Sequence, residues 1–247
     1  MHQFNFSNLI LLIGTNPLPN FIVADYLLQQ NKNIQKIWLL HSEDNAFQAG
    51  TIAQAKNLEE LLRTNWYQKH NALHFPLEKV PLSEVSSEAI IRRDINQKMI
   101  SRWQNGSFFH LNYTGGTKAM AVHVYNRLKE LMDNGQYQFS YLDANNYRLV
   151  LDNYGVIEED LRRSIQMEFA DLIDLHGFKR KNTHRDEIDL EKAVKAYQRY
   201  ISDPKVNSMN EQDGKPFEIY LQKKLNDNFS KKLNSKHGVL YNWEIQK

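Results

Sequence analysis

The 247-residue sequence predicts an α/β fold: a mostly parallel sheet with helices on both faces and a C-terminal β-hairpin at one edge. Three observations carry this. Continuous apolar runs such as residues 9–13 (LILLI) suit central strands buried on both faces. Longer segments with apolar residues at helical spacing alternate with them. Two polar loops, residues 14–20 and 114–118, each join an apolar run to a helical one, which places both at the carboxyl edge of the sheet.

The elements follow in order. Residues 9–13 end at Gly14. The stretch GTNPLPN (14–20), with two prolines, reads as a loop with no room for a helix, and residues 21–29 then read as helical. Residues 34–40 form a second strand ending at His41 and Ser42. Residues 47–62 are an amphipathic helix with Ile52, Ala55, Leu58, Leu61 and Leu62 on its apolar side. Residues 73–77 suit a short third strand, and 87–103 a long helix bearing Ile91, Ile95, Met99 and Trp103. FFHLNY (108–113) has the aromatic and apolar content of a buried strand, and Met120, Val124 and Leu128 mark a helix running to residue 132. Asn134-Gly135 stops it. Residues 139–142 and 147–151 read as a hairpin across 143–146.

After residue 152 the texture changes. One helix over 165–175 is stopped by Gly177, a basic stretch covers 179–185, and a thinly apolar helix covers 186–200. Residues 201–215, with Pro204 and Gly214, read as a linker. From residue 217 a helix starts again, with a possible strand at 238–243; some thirty residues cannot bury a core alone.

Composition narrows the function. The net charge of +2 implies no strong whole-chain attraction for nucleic acid. The absence of cysteine excludes disulfides and thiolate metal sites and fits a cytoplasmic protein. The first apolar run is too short to span a membrane, and no basic signal-peptide start precedes it. The nine histidines are scattered without metal-ligand spacing, and no nucleophile elbow occurs.

The most informative stretch is TGGTK, Thr114 to Lys118. The two glycines allow positive φ or close backbone approach, Thr117 can cap the helix, and Lys118 adds a cation at a helix N-terminus that already favours an anion. It is not a Walker A loop, since Thr117 separates Gly116 from Lys118, and no G-x-G-x-x-G dinucleotide fingerprint occurs. A plain strand-to-helix turn that binds nothing is the alternative.

The loops GTNPLPN (14–20) and NYTGGTKAM (112–120) together resemble those of the CRISPR-associated Rossmann fold (CARF) family, in the branch fused to a PD-(D/E)xK nuclease. The resemblance covers residues 9–177 and implies a Rossmann-like sensor of cyclic oligoadenylate, held as a homodimer with the ring across its two-fold axis. By position it implies ligand contacts from Thr15, Asn16, Pro19 and Asn20 and from Thr114, Gly115, Gly116, Thr117 and Lys118. His41 and Ser42, at the second strand end, join them; a strand-end histidine without a ligand is the alternative for His41. The domains expected are 1–177 as sensor, 178–213 as helical linker and 214–247 as the start of a nuclease-like domain. There Glu218 matches a metal-site glutamate, although a glutamate in a first helical turn is favourable without catalysis. A complete site of that type needs further carboxylates, a Lys and Mg²⁺ or Mn²⁺, so this span is expected to hold no cofactor and cut no nucleic acid; a nuclease partner domain would. Cyclic tetra-adenylate is the favoured ligand, with hexa-adenylate as the other ring size. Ring cleavage and ordinary nucleotide-phosphate enzymology are the competing functions, and ring size is not legible in loops.

Overall fold

β1 (Asn8–Ile13) is the hub of the sheet, with all six residues buried. It pairs in parallel with β2 (Lys36–Ser42) on one side and with β4 (Phe109–Asn112) on the other. β3 (Leu77–Leu82) lies outside β2, and β5 (Tyr137–Asp143) outside β4, both parallel. β6 (Arg148–Leu151) and β7 (Gly155–Val156) add antiparallel edges, giving the order β3-β2-β1-β4-β5-β6-β7. The computed structural model describes residues 4–45, 49–70, 77–103, 107–131, 137–165, 167–181 and 244–246.

Strand side chains alternate between the faces. Leu9, Leu11 and Ile13 share a core with α1 (Leu18–Gln30) and α2 (Ile52–His70), through residues such as Phe21, Leu27, Leu58 and Leu61. Ile10 and Leu12 pack on the other face with Ile91 and Ile95 of α3 (Glu88–Lys98) and with Met120, Val124 and Leu128 of α4 (Lys118–Leu131). Each such fully buried aliphatic side chain contributes about 1.5–3 kcal/mol. The chain therefore winds one way from β1 through α1 and the other way from β4 through α4. The crevice between β1 and β4 is the topological switch point, where α/β sheets hold ligands. The fold is Rossmann-like α/β, as the sequence predicts.

Several elements differ from expectation. The helix after β1 starts at Leu18, inside the stretch read as loop, because Pro17 is its N-cap residue and Pro19 lies in its first turn, where a missing N–H costs nothing. The third strand is Leu77–Leu82, not residues 73–77, of which 73–76 lie outside the described residues; Pro81 is tolerated because β3 is an edge. The segment 87–103 divides into α3 and a 3₁₀ turn at Ile100–Arg102. The helix expected over 165–175 is shorter, α6 (Phe169–Leu175), and a separate short helix, α5 (Leu161–Ser164), precedes the expected span. Ile165 is extended, and α6 restarts from Glu168, whose N–H donates to Asp171 Oδ2 at 3.2 Å.

The chain forms two compact units, Met1–Phe178 and Lys179–Lys247. In the second, β8 (Lys179–Lys181) pairs antiparallel with β9 (Glu244–Gln246), so the start of the basic stretch is a strand. The linker at 201–215, the helices expected at 186–200 and from 217, the strand at 238–243, Asn134-Gly135 and Glu218 lie outside the described residues.

Candidate functional site

The two polar loops meet. A Cβ on Gly14 would lie 3.0 Å from Gly116 N, so the turn after β1 and the turn after β4 touch backbone to backbone. A Cβ on Gly115 would lie 2.0 Å from Leu12 O and 2.8 Å from Asn20 Oδ1. Only glycine permits that approach. Gly116 adopts φ +76°, in the left-handed region that favours glycine. Thr117 then caps α4, its hydroxyl accepting from Met120 N at 3.1 Å. Among the described residues, the N–H groups of Gly115, Gly116 and Thr117 have no hydrogen-bond acceptor, and Lys118 is exposed without an ion-pair partner. Free N–H groups, a helix N-terminus and a cation thus converge at the crevice.

Asn20 and His41 stand behind this surface. Asn20 is fully buried and its amide donates to Leu12 O at 2.9 Å, fixing the end of β1. His41 is buried, with Nδ1 3.1 Å from Ser42 O. Burial pushes its pKa down, against the Ser42 contact, so it is neutral at neutral pH. Asn16 accepts from Leu18 N at 3.1 Å and so satisfies a free donor at the start of α1. Thr114 Oγ1 accepts from Leu142 N at 2.7 Å, tying the turn to β5. Thr15 is exposed and Pro19 half-buried on the first turn of α1.

Beside the turn lies a cleft of about 150 Å³. Thr15, Ser42, Gly116 and Thr117 reach it, together with Thr51 and Ser83. Sequence reasoning missed Thr51. Its hydroxyl donates to Ile13 O at 2.9 Å and accepts from Ser42 N at 3.1 Å, bridging the ends of β1 and β2. Its place just before α2 was a capping signal that could have found it. The β3–α3 loop forms the far wall, anchored by Asp94, which accepts from Ser83 N at 2.7 Å. Burial raises the Asp94 carboxyl pKa, but the bonds from Ser83 and Arg93 outweigh it and hold it below the ordinary carboxylate value. Glu43 and Glu84 also line the cleft, so its β2–β3 side is acidic, while Gly116, Thr117 and Met120 line its α4 side. The acidic side suits hydrogen-bond donors of a ligand, and the free N–H groups at the start of α4 suit an anion. No group of carboxylates and histidines able to hold a metal occurs among the described residues. Nor, among them, is any helix long and apolar enough to cross a membrane.

These features define a Rossmann-like domain with a crevice at the switch point. Three solved structures share the fold. Can2 from Sulfobacillus thermosulfidooxidans, in complex with cyclic tetra-adenylate, is 18% identical with a TM-score of 0.50, over 78% of this chain and 46% of that one. A type III CRISPR defence DNA nuclease activated by cyclic oligoadenylate is 18% identical with a TM-score of 0.52, over 93% of this chain and 35% of that one. Protein VC1899 from Vibrio cholerae is 12% identical with a TM-score of 0.52, over 91% and 51%. The chain therefore spans about a third to a half of their lengths. No family model and no curated protein matches it.

Proposed function

We propose that the Met1–Phe178 unit is a CARF-type sensor that binds a cyclic oligoadenylate, cyclic tetra-adenylate first, and regulates a nuclease effector in type III CRISPR defence. The observation that carries this is the junction of the Gly14 and Gly115-Gly116 turns at the β1/β4 switch point, with unpaired N–H groups and Lys118 beside it. Its fold-level likeness to proteins described with such ligands supports the same reading. One crevice offers half a site for a ring with internal symmetry, so the working form is a homodimer with two crevices adjoining. Thr15, Gly115, Gly116, Thr117 and Lys118 form the phosphate-facing surface, while Asn20 and His41 support it from within.

Calorimetric titration with cyclic tetra-adenylate, cyclic hexa-adenylate and AMP tests the reading, with light scattering for mass and chromatography of the recovered ligand. Saturable binding of a ring to a dimer, with the ring recovered intact, is the expected result. Linear products would make the domain a ring nuclease, in which a 2′-hydroxyl held in line with its phosphate needs only positioning. Binding of AMP alone, or a monomer with and without ring, would overturn the proposal.

A further inference from the structure

Behind the Gly-Gly turn, the sheet buries polar groups where the pattern calls for apolar ones. His110, Asn112 and Ser140 are each 0% exposed, on neighbouring strands in register, with Asn112 opposite Ser140 and His110 opposite Gln138. Burying such groups is costly unless each finds a partner. Here each does. Thr114 N donates to Asn112 Oδ1 at 3.3 Å, and Asn112 Nδ2 donates to Ser140 Oγ at 2.9 Å. Ser140 Oγ lies 2.6 Å from His110 Nε2, and His110 Nδ1 lies 3.4 Å from Gln138 Oε1.

The donor roles are fixed by elimination. Gln138 Oε1 only accepts, so in the neutral ring the proton lies on His110 Nδ1, and Ser140, which accepts from Asn112 Nδ2, turns its own proton toward His110 Nε2. Nε2 is then bare, and the ring proton sits on Nδ1, facing the Gln138 carbonyl. The chain runs in one sense from Thr114 to Gln138 and is complete only with a neutral ring. The surroundings favour that form: the Phe6 ring lies 4.7 Å from the imidazole and the Phe4 ring 6.1 Å, and burial pushes the pKa down to about 4.

We infer that the buried Asn112–Ser140–His110 chain is a positioning device for the ligand turn, fixing Thr114 and through it the height of Gly115 and Gly116 over the crevice. The inference rests on the sensor reading for what the turn binds, but not for how the turn is held. Thr114 is gripped twice, by its N–H through Asn112 and by its hydroxyl through Leu142 N. The two bonds come from different strands, so together they fix both the direction and the distance at which the chain leaves β4. A network serving only strand register would have no reason to end on the first residue of the turn.

The test uses the full chain with Ser140→Ala and Ser140→Thr, the latter keeping the hydroxyl. Backbone ¹⁵N relaxation of Gly115 and Gly116 is read without ligand, and affinity for cyclic tetra-adenylate by calorimetry. In Ser140→Ala the order parameters at the two glycines should fall from a rigid value of about 0.85 to below about 0.6, with β1 and β2 unchanged. Affinity should fall about tenfold or more, and Ser140→Thr should restore both. A rigid turn or wild-type affinity in Ser140→Ala, even with a lowered melting temperature, overturns the inference and leaves a network that only holds the strands together. Should Ser140→Ala fail to fold, Gln138→Leu opens the far end of the chain and is read by the same two measurements. If the wild type binds neither cyclic tetra-adenylate nor cyclic hexa-adenylate, the sensor reading fails, and the order parameters alone still decide how the turn is held.

Discussion

Gly115→Ala puts the loop junction to its most direct test. The added Cβ would lie 2.0 Å from Leu12 O and 2.8 Å from Asn20 Oδ1, where ordinary contact starts at 3.4 Å. Leu12 O belongs to the central strand and cannot yield, and Asn20 is held by that same carbonyl. The turn must therefore retreat from β1 by roughly 1 Å or more, an overpacking cost of about 1–3 kcal/mol. For a domain of this size that lowers the melting temperature by about 2–12 °C. The retreat also moves the free N–H groups away from the ligand. Losing one charge-assisted contact, at about 1.5–3 kcal/mol, weakens binding about ten- to hundredfold. Differential scanning calorimetry reads the first effect and isothermal titration with cyclic tetra-adenylate the second. Gly155→Ala is the control: its φ of +77° makes alanine strained, by about 1–2 kcal/mol, but a Cβ there meets nothing within 4 Å and lies on the far hairpin. Wild-type melting and affinity in Gly115→Ala would refute the close approach on which the site rests.

Lys118→Ala should weaken binding about ten- to hundredfold and leave melting unchanged, since the side chain is exposed and without an ion-pair partner. Thr51→Val keeps the shape but strands Ile13 O and Ser42 N, and should cost about 1–3 kcal/mol in urea unfolding. His110 has a folded pKa of about 4 against an unfolded value near 6.5. The unfolded chain therefore binds more protons in between, and stability present above pH 6.5 is lost as pH falls toward 4, by on the order of 3 kcal/mol. His41, also lowered, adds in the same direction, so His110→Gln should flatten the urea-midpoint profile in this window without abolishing its slope.

How much of this was legible depended on range. Residues 9–13 announced themselves as a buried strand because burial on both faces leaves a continuous apolar run, and 108–113 through their aromatic and apolar content. The start of α1 did not, because proline breaks a helix interior but is welcome in its first turn, and sequence alone does not say which position Pro17 and Pro19 hold. β3 was displaced because Glu78, Lys79 and Pro81 dilute its pattern, as an edge strand permits. The glycine turn was found from its composition, and the structure supplied the reason for Gly115. Asn20 was chosen by its place in the first loop of the family resemblance and His41 for its place at a strand end; only the fold shows that they face inward. The partnership of Asn112 with Ser140 needed the register of β4 against β5, which no local pattern encodes.

The contact between Gly14 and Gly116 has a mechanical consequence. The loop after β1 feeds α1 on one side of the sheet, and the loop after β4 feeds α4 on the other. Joined backbone to backbone, they tie the start of α1 to the start of α4, so neither helix can shift at its first turn without displacing the other. The one junction of two loops thus couples the helical layers on both faces of the sheet without any contact through the hydrophobic interior.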